Sequence, residues 1–489
     1  MENATEHGPS TSSSMPQLSP LESAIARHAS EGDIDAVDRL VAESDHPSES
    51  IRDLHIKAHL RAIPARTFPT TALSILHDYE SRGLPAPQRS YTRLITTLLS
   101  LRSSVAEAQA WDLFAHMRYV AHPVPDAYLY TLMIAACASR AIAPQPARAL
   151  DLFKEMTVDK GIPPTADTYT AAIYACACSG DKLYVGEAFR LAKEMLDGHR
   201  DAYGNTAFTP DRKTFCALLE GAKRMGDLAK VRWILAEIVA ESLRTRHSRD
   251  AIVVDEQIMT HVFHAYAAYK PPFNRAATVL VDENAPPTSH GAQPTSTASQ
   301  DPAPEVASQQ GGPSDGSQLP FVPEVPQFTT LLPQSHPEVL AETRVLFARI
   351  LNDISPSGHR GGLDDPSGGN ESMPHAFQQV RLTPRLLNAY LSVHYAHGLF
   401  DESAQLYQTL FEDLGVEKNA WSYVEALEYS GRSKRDARMR ALAFARQVWE
   451  EWSPVEEAWR RGKQAENAAG ITARLVERAY AAMIRILSL

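Results

Sequence analysis

Four cysteines in 489 residues are too few for a disulfide framework, and no CxxC pair occurs among Cys137, Cys176, Cys178 and Cys216. The chain therefore reads as one kept in a reducing compartment. Positive charge is also short. Lys and Arg number 48 against 59 Asp and Glu, for a net charge of −11. That balance excludes a uniformly basic nucleic-acid surface, because phosphate contacts supply most non-specific affinity. It is compatible with a local basic groove on an acidic exterior. No apolar run is long enough to span a bilayer. The first twenty residues are rich in Ser and Pro and carry Glu2 and Glu6 but no Arg or Lys. They resemble neither a secretory signal nor an Arg-rich transit peptide. Catalytic signatures are missing too: there is no HExxH, no G-x-S-x-G, no Walker loop and no dinucleotide glycine fingerprint. His55/His59 and His261/His264 have helical spacing for a metal, but no carboxylate or cysteine pattern accompanies them. They read as packing or surface residues. The expectation is a non-enzyme with no cofactor and no metal.

What the sequence does contain is repetition. Between Asp126 and Met195 it says nearly the same thing twice. Tyr130-Thr131-Leu132-Met133-Ile134 is followed by Ala149 to Met156. Tyr169-Thr170-Ala171-Ala172-Ile173 is followed by Ala188 to Met195. Tyr130 and Tyr169 stand 39 residues apart, as do Ala149 and Ala188. Two apolar stripes per copy at this period mark a helix-turn-helix repeat. The second helices share residues at i, i+3, i+4 and i+7, one apolar helical face. These are Ala110/Leu113/Phe114/Met117, Ala149/Leu152/Phe153/Met156, Ala188/Leu191/Ala192/Met195 and Val231/Ile234/Leu235/Ile238. Cys137 and Cys176 occupy equivalent places in two copies and read as small buried packing residues.

The expected architecture is all-α: a right-handed α-solenoid of helix-turn-helix repeats with long disordered insertions. Residues 1–19 form a disordered tail, and 20–83 degenerate N-terminal helical repeats. The clear array runs over 84–270. A Pro-, Ser-, Gln- and Gly-rich insertion covers 271–336 and cannot bury a core. It sits between the two helices of the fifth well-defined repeat, whose second helix returns at 337–354 with Thr343/Leu346/Phe347/Ile350. A further polar insertion covers 355–376. C-terminal repeats occupy 377–489, with stripes Ser403/Leu406/Tyr407/Leu410 and Ala445/Val448/Trp449/Trp452. A last partial unit is read as opening at Tyr480.

These residues resemble the pentatricopeptide repeat family. Thr168-Tyr169-Thr170-Ala171-Ala172-Ile173 matches its first helix, Ala149 to Met156 its second, and Pro125-Asp126 and Pro210-Asp211 its turn. The resemblance implies single-stranded RNA binding with one base read per repeat. The reading side chains are the residue after the first-helix aromatic and the last residue of the repeat. Both must be short and able to hydrogen-bond a base edge. The implied pairs are Thr92 with Asp126, Thr131 with Thr165, Thr170 with Asp211, Cys216 with Asp255, Thr260 with Thr383, and Asn388 with Asn419. The family's code makes a Thr/Asp pair a purine reader and Asn/Asn a pyrimidine reader. Thr/Thr and Cys/Asp lie outside that code, and Val424 with Val476 cannot read a base edge.

Bases also need stacking partners and phosphates need cations. Three residues before the code positions stand Arg89, Tyr128, Asp167, Lys213, Gln257 and Arg385, with Trp421 before Val424. Tyr128 and Trp421 can stack, and Arg89, Lys213 and Arg385 can pair with phosphate. Basic runs at 244–249 and 432–440 offer more cations. The resemblance implies a mitochondrial factor acting on an organellar transcript in processing, stability or translation, with mitochondrial ribosome or RNA-processing proteins as partners. The alternative is a protein–protein scaffold, for example a mitochondrial ribosome-associated subunit. The acidic balance and off-code pairs favour the scaffold; the threonines and Pro-Asp turns in register favour RNA.

Overall fold

The structure is a computed structural model that describes residues 19–44, 46–64, 67–139, 143–200, 203, 206–244, 252–273, 331–354, 376–433, 437–462 and 471–488. The tail at 1–18, most of the two insertions (274–330 and 355–375) and the basic run from 245 to 249 lie outside the described residues. Described residues are helical throughout, with two isolated bridges and no strand. The chain divides into two compact units, Met1–Met225 and Gly226–Leu489.

The first unit runs α1 (Pro20–Glu31), α2 (Ile34–Ala42), α3 (Glu49–Ala62), α4 (Thr70–Ser81), α5 (Gln88–Ser100), α6 (Ser104–His116), α7 (Ala127–Ala136), α8 (Pro146–Lys154), α9 (Ala166–Cys178), α10 (Lys182–Asp197) and α11 (Arg212–Met225). Local chemistry sets where these helices start. Ser19 and Glu22 form a reciprocal capping box on α1. Asp33, Ser48, Ser103, Asp126, Thr165 and Asp181 each accept a backbone N–H at a helix start. Gly32 ends α1 at φ 81°, a left-handed conformation costly for any residue with a Cβ. Both α6 and α8 finish in a π-helical turn, Met117–Ala121 and Glu155–Asp159.

Packing follows the repeat. Each first helix packs against the next, α1 on α3, α3 on α5, then α5, α7, α9 and α11 in series. The second-helix stripes Ala110/Leu113/Phe114/Met117 and Ala149/Leu152/Phe153/Met156 are buried, as are Ala188, Leu191 and Met195. Ala192 is only half-buried, so the third stripe is narrower than its sequence spacing predicts. The repeat tyrosines Tyr91, Tyr130 and Tyr169 are buried. The Tyr130 hydroxyl donates to Glu155 Oε1 at 2.9 Å, and Tyr169 to Glu194 Oε1 at 3.2 Å, one helix later in the same hairpin. Arg118 adds a second anchor, 2.7 Å from Glu155 Oε2, and joins consecutive hairpins. Burial and the adjacent carboxylate raise the Tyr169 hydroxyl to about 12 and hold it protonated as a donor.

The second unit runs α12 (Leu228–Arg244), α13 (Glu256–Ala268), α14 (His336–Ile354), α15 (Pro384–His397), α16 (Phe400–Asp413), α17 (Ala420–Ser430), α18 (Arg438–Arg460) and α19 (Ala473–Ser488). Here α13 packs on α15, α15 on α17, and α17 on α19. Helices α13 and α14 also pack together, although the chain leaves the described region between them. Their bases are joined where Phe273 N–H donates to Gln334 O at 2.9 Å and the Tyr269 hydroxyl to Pro333 O at 3.0 Å. Tyr266 donates to Glu342 Oε1 at 2.5 Å, repeating the tyrosine–glutamate link of the first unit. One expectation is corrected. The last helix begins at Ala473, not at Tyr480. It buries Leu475, Ala479, Ala482 and Ile486, which leaves Tyr480 38% exposed halfway along it. The helical apolar period, rather than the Tyr-Ala-Ala tripeptide, sets this register.

Candidate nucleic-acid interface

The residues after the repeat tyrosines occupy one position on successive first helices. Thr92, Thr131 and Thr170 recur every 39 residues, and one step earlier stands Asp53 on α3. The structure links this position to the first turn of the following first helix. Asp53 Oδ1 accepts from the Ser90 hydroxyl at 2.8 Å. The Thr131 and Thr168 hydroxyls are 2.7 Å apart, and those of Thr170 and Thr214 are 2.8 Å apart. In the second unit Asn388 Nδ2 donates directly to Asn419 Oδ1 at 3.2 Å.

The bridging hydroxyl is also part of the cap. Thr168 lies 2.9 Å from Thr165 Oγ1, and Thr214 donates to Asp211 Oδ1 at 2.8 Å. Asn419 Oδ1 accepts from the Ser422 hydroxyl at 3.1 Å. The two members of three pairs are thereby brought together: Thr131 with Thr165, Thr170 with Asp211, and Asn388 with Asn419. Thr92 and Asp126 are not bridged. The residue that would carry the hydroxyl is Leu129, so Thr92 donates instead to Gln88 O at 3.2 Å and Asp126 caps Leu129 N–H at 2.8 Å. Thr260 likewise donates to Glu256 O at 2.8 Å, while Thr383 caps Leu386 at 3.3 Å. Cys216 and Asp255 fall in different units; Asp255 caps Ile258 at 3.0 Å.

Exposure divides the positions. Asp126, Thr165 and Asp211 are exposed in their turns, and Thr92, Thr131 and Thr170 are half-buried. Cys216, Thr260 and Asn388 are buried under their neighbours, which leaves them no open face for a base. Of the flanking residues, Tyr128 and Trp421 are exposed. Arg478 lies with its Cζ 4.9 Å from the Trp421 ring centroid, a cation–π contact beside an open aromatic face. Arg89 pairs with Asp53 at 2.9 Å and Lys213 with Asp167 at 3.7 Å, whereas Arg385 is exposed. Buried Cys137 and Cys176 have thiols pushed up to about 12 by desolvation, as inert packing residues would.

Asp53 and the linking hydroxyls of Ser90 and Thr214 were not singled out from the sequence. The 39-residue step back from Thr92 points to Asp53, but Arg52 stands where the aromatic belongs and hides the register.

A first helix with a buried aromatic, a polar residue after it and a capping turn, recurring in series, defines a protein of helical-hairpin repeats. The solved structures it is similar to include the pentatricopeptide repeat protein PPR10 from maize, at 13% identity over 96% of this chain and 67% of that chain, with a TM-score of 0.27. A second is PPR10 in complex with an 18-nucleotide psaJ RNA element, at 15% identity over 94% and 66%, with the same TM-score. No family model and no curated protein matches the chain.

Proposed function

We propose that the array binds single-stranded RNA without cutting or modifying it. The observation that carries this reading is the run of linked polar groups, Asp53–Ser90, Thr131–Thr168–Thr165 and Thr170–Thr214–Asp211, which recurs by hairpin along the first helices except at the unbridged Thr92 step. Thr131, Thr165, Thr170 and Asp211 keep exposed or half-buried faces and can offer a donor or acceptor to a base edge, while buried Asp53, Ser90, Thr168 and Thr214 form the rigid frame behind them. Tyr128, set one turn before Thr131, supplies an aromatic face on which a base can stack. The PPR10 complex with RNA is a precedent for the binding mode in a protein of similar repeats. The proposal extends, through the family resemblance alone, to an organellar transcript in mitochondria and a role in its processing, stability or translation.

Crosslinking followed by sequencing of bound RNA tests it. A defined transcript is expected to be enriched, and Thr170→Ala with Asp211→Ala to shift its preference at one base. Tyr128→Ala should weaken binding by about 1–3 kcal/mol whatever the base. If no transcript is enriched above an untagged control, the reading is wrong.

One set of observations favours the protein scaffold. Cations beside the polar run already have carboxylate partners: Arg89 and Arg93 pair with Asp53, and Lys213 with Asp167. Tyr119, Val120 and Val124 are exposed together after α6, a surface suited to a protein partner. Failure of the RNA experiment combined with co-purification of a partner lost in Tyr119→Ser/Val120→Ser would establish that reading.

A further inference from the structure

We infer that the N-terminal unit holds a divalent transition-metal ion, with Zn2+ as its natural fit, between α2 and α3. His55 and His59 lie one turn apart on α3, and their side chains turn to the same point. His55 Nε2 is 2.9 Å from Asp38 Oδ1, and His59 Nε2 is 2.9 Å from the same oxygen. The three potential ligand atoms all lie within 4.8 Å of one another. Two imidazoles and one carboxylate are a donor set that zinc accepts, leaving its fourth position for water. With zinc–nitrogen and zinc–oxygen bonds of about 2.0–2.1 Å, ligand atoms in a tetrahedral site stand about 3.3 Å apart. The two histidine–carboxylate separations need open by only about 0.4 Å to admit the ion.

The surroundings are those of a built site. His55 Nδ1 is 2.7 Å from the hydroxyl of Tyr79, a buried residue of α4. With Nδ1–H donated to that oxygen, Nε2 carries the lone pair that a metal takes. Metal-bound histidines are characteristically oriented by such an outer hydrogen bond. The histidine side chains are each 12% exposed and Asp38 is 47% exposed, so the ligands are held by packing while the carboxylate side opens a path from solvent. The helical spacing of His55 and His59 alone reads as packing or surface, because no carboxylate accompanies them in sequence. The third ligand comes from the preceding hairpin and is visible only once α2 lies against α3. An ion here would tie the first hairpin to the second, and through Tyr79 to α4. The site shares α3 with Asp53 of the polar run, but none of its three ligands belongs to that run, and it does not depend on RNA binding.

Equilibrium dialysis of the full chain against buffered Zn2+, with bound metal counted by mass spectrometry, tests the inference. One zinc per chain is expected. It should be lost in the His55→Gln/His59→Gln double variant and in Asp38→Asn, and weakened about tenfold in Tyr79→Phe. His336→Gln breaks another close imidazole pair, 2.7 Å from His397, and should leave the stoichiometry unchanged. Co2+ in place of Zn2+ should give a visible ligand-field band in the parent protein and none in Asp38→Asn. Circular dichroism of the metal-free variants checks that they fold. Should the double variant unfold, Asp38→Asn carries the test, because its side chain is half exposed. A parent protein that retains no zinc, or the same zinc content in parent and Asp38→Asn, overturns the proposal.

Discussion

At the scale of single residues, the second unit holds a glutamate in a conflicting environment. Glu425 on α17 is half-buried, and desolvation raises its carboxyl to about 7. Arg478 and Arg432 pull the other way, while Glu428 adds to the rise. An acid whose folded value exceeds its unfolded value binds more protons when folded. Stability from this group is therefore greatest below the unfolded value, near 4.5, and falls as pH rises toward 7. The variant Glu425→Gln should match the parent at pH 4 and exceed it at pH 8 by roughly 1–3 kcal/mol; chemical denaturation at the two pH values reads this directly. His394 on α15 gives the opposite slope. Its imidazole is buried and lowered to about 4, with Arg344 and His397 adding repulsion. It loses stability as pH falls from 6.5 toward 4. The two slopes overlap between those values, so the single variant, not the parent profile, isolates Glu425.

At the scale of elements, the spacing between first helices is set by small residues. A Cβ on Gly221 of α11 would stand 3.1 Å from the Ala177 Cβ of α9 and 3.3 Å from Val185 Cγ1 of α10. Gly221→Val should therefore push α11 off the preceding hairpin and cost about 1–3 kcal/mol, seen as a lower denaturation midpoint with unchanged slope. The same scale shows what the sequence could reveal. The Tyr130 and Tyr169 copies and the second-helix stripes were legible because a helix buries one face, and a repeated burial repeats in sequence. The expected pairs Thr131/Thr165, Thr170/Asp211 and Asn388/Asn419 proved to be neighbours because register fixes both members. Contacts between helices of different hairpins left no such trace. Asp53 was hidden by Arg52 in the aromatic's place. Asp38 and His55 meet across a turn whose angle no periodicity encodes. Burial of Thr260 and Cys216 was equally unreadable, because it depends on which other segments of the fold cover them.

At the scale of the whole molecule, the hairpin of α13 and α14 is closed at its base before the long intervening segment departs. Phe273 pairs with Ser335, and Tyr269 reaches Pro333. The helices therefore do not need the segment to find each other's geometry. Replacing residues 274–330 by a linker about eight times shorter should leave the helical signal intact and raise stability by about 2 kcal/mol, from three halvings of loop length at about 0.6 kcal/mol each. A melt with lower midpoint would show that the segment contributes contacts to the folded units.

That closed base has one more consequence. Phe263, Phe347 and Tyr390 form a single aromatic cluster, in which Phe347 stacks on Tyr390 with centroids 4.0 Å apart. The cluster draws one member from before the segment and two from after it. The gene could accordingly be divided there into two open reading frames, and the separately translated polypeptides would be expected to dock through this seam as a heterodimer, with covalent continuity dispensable.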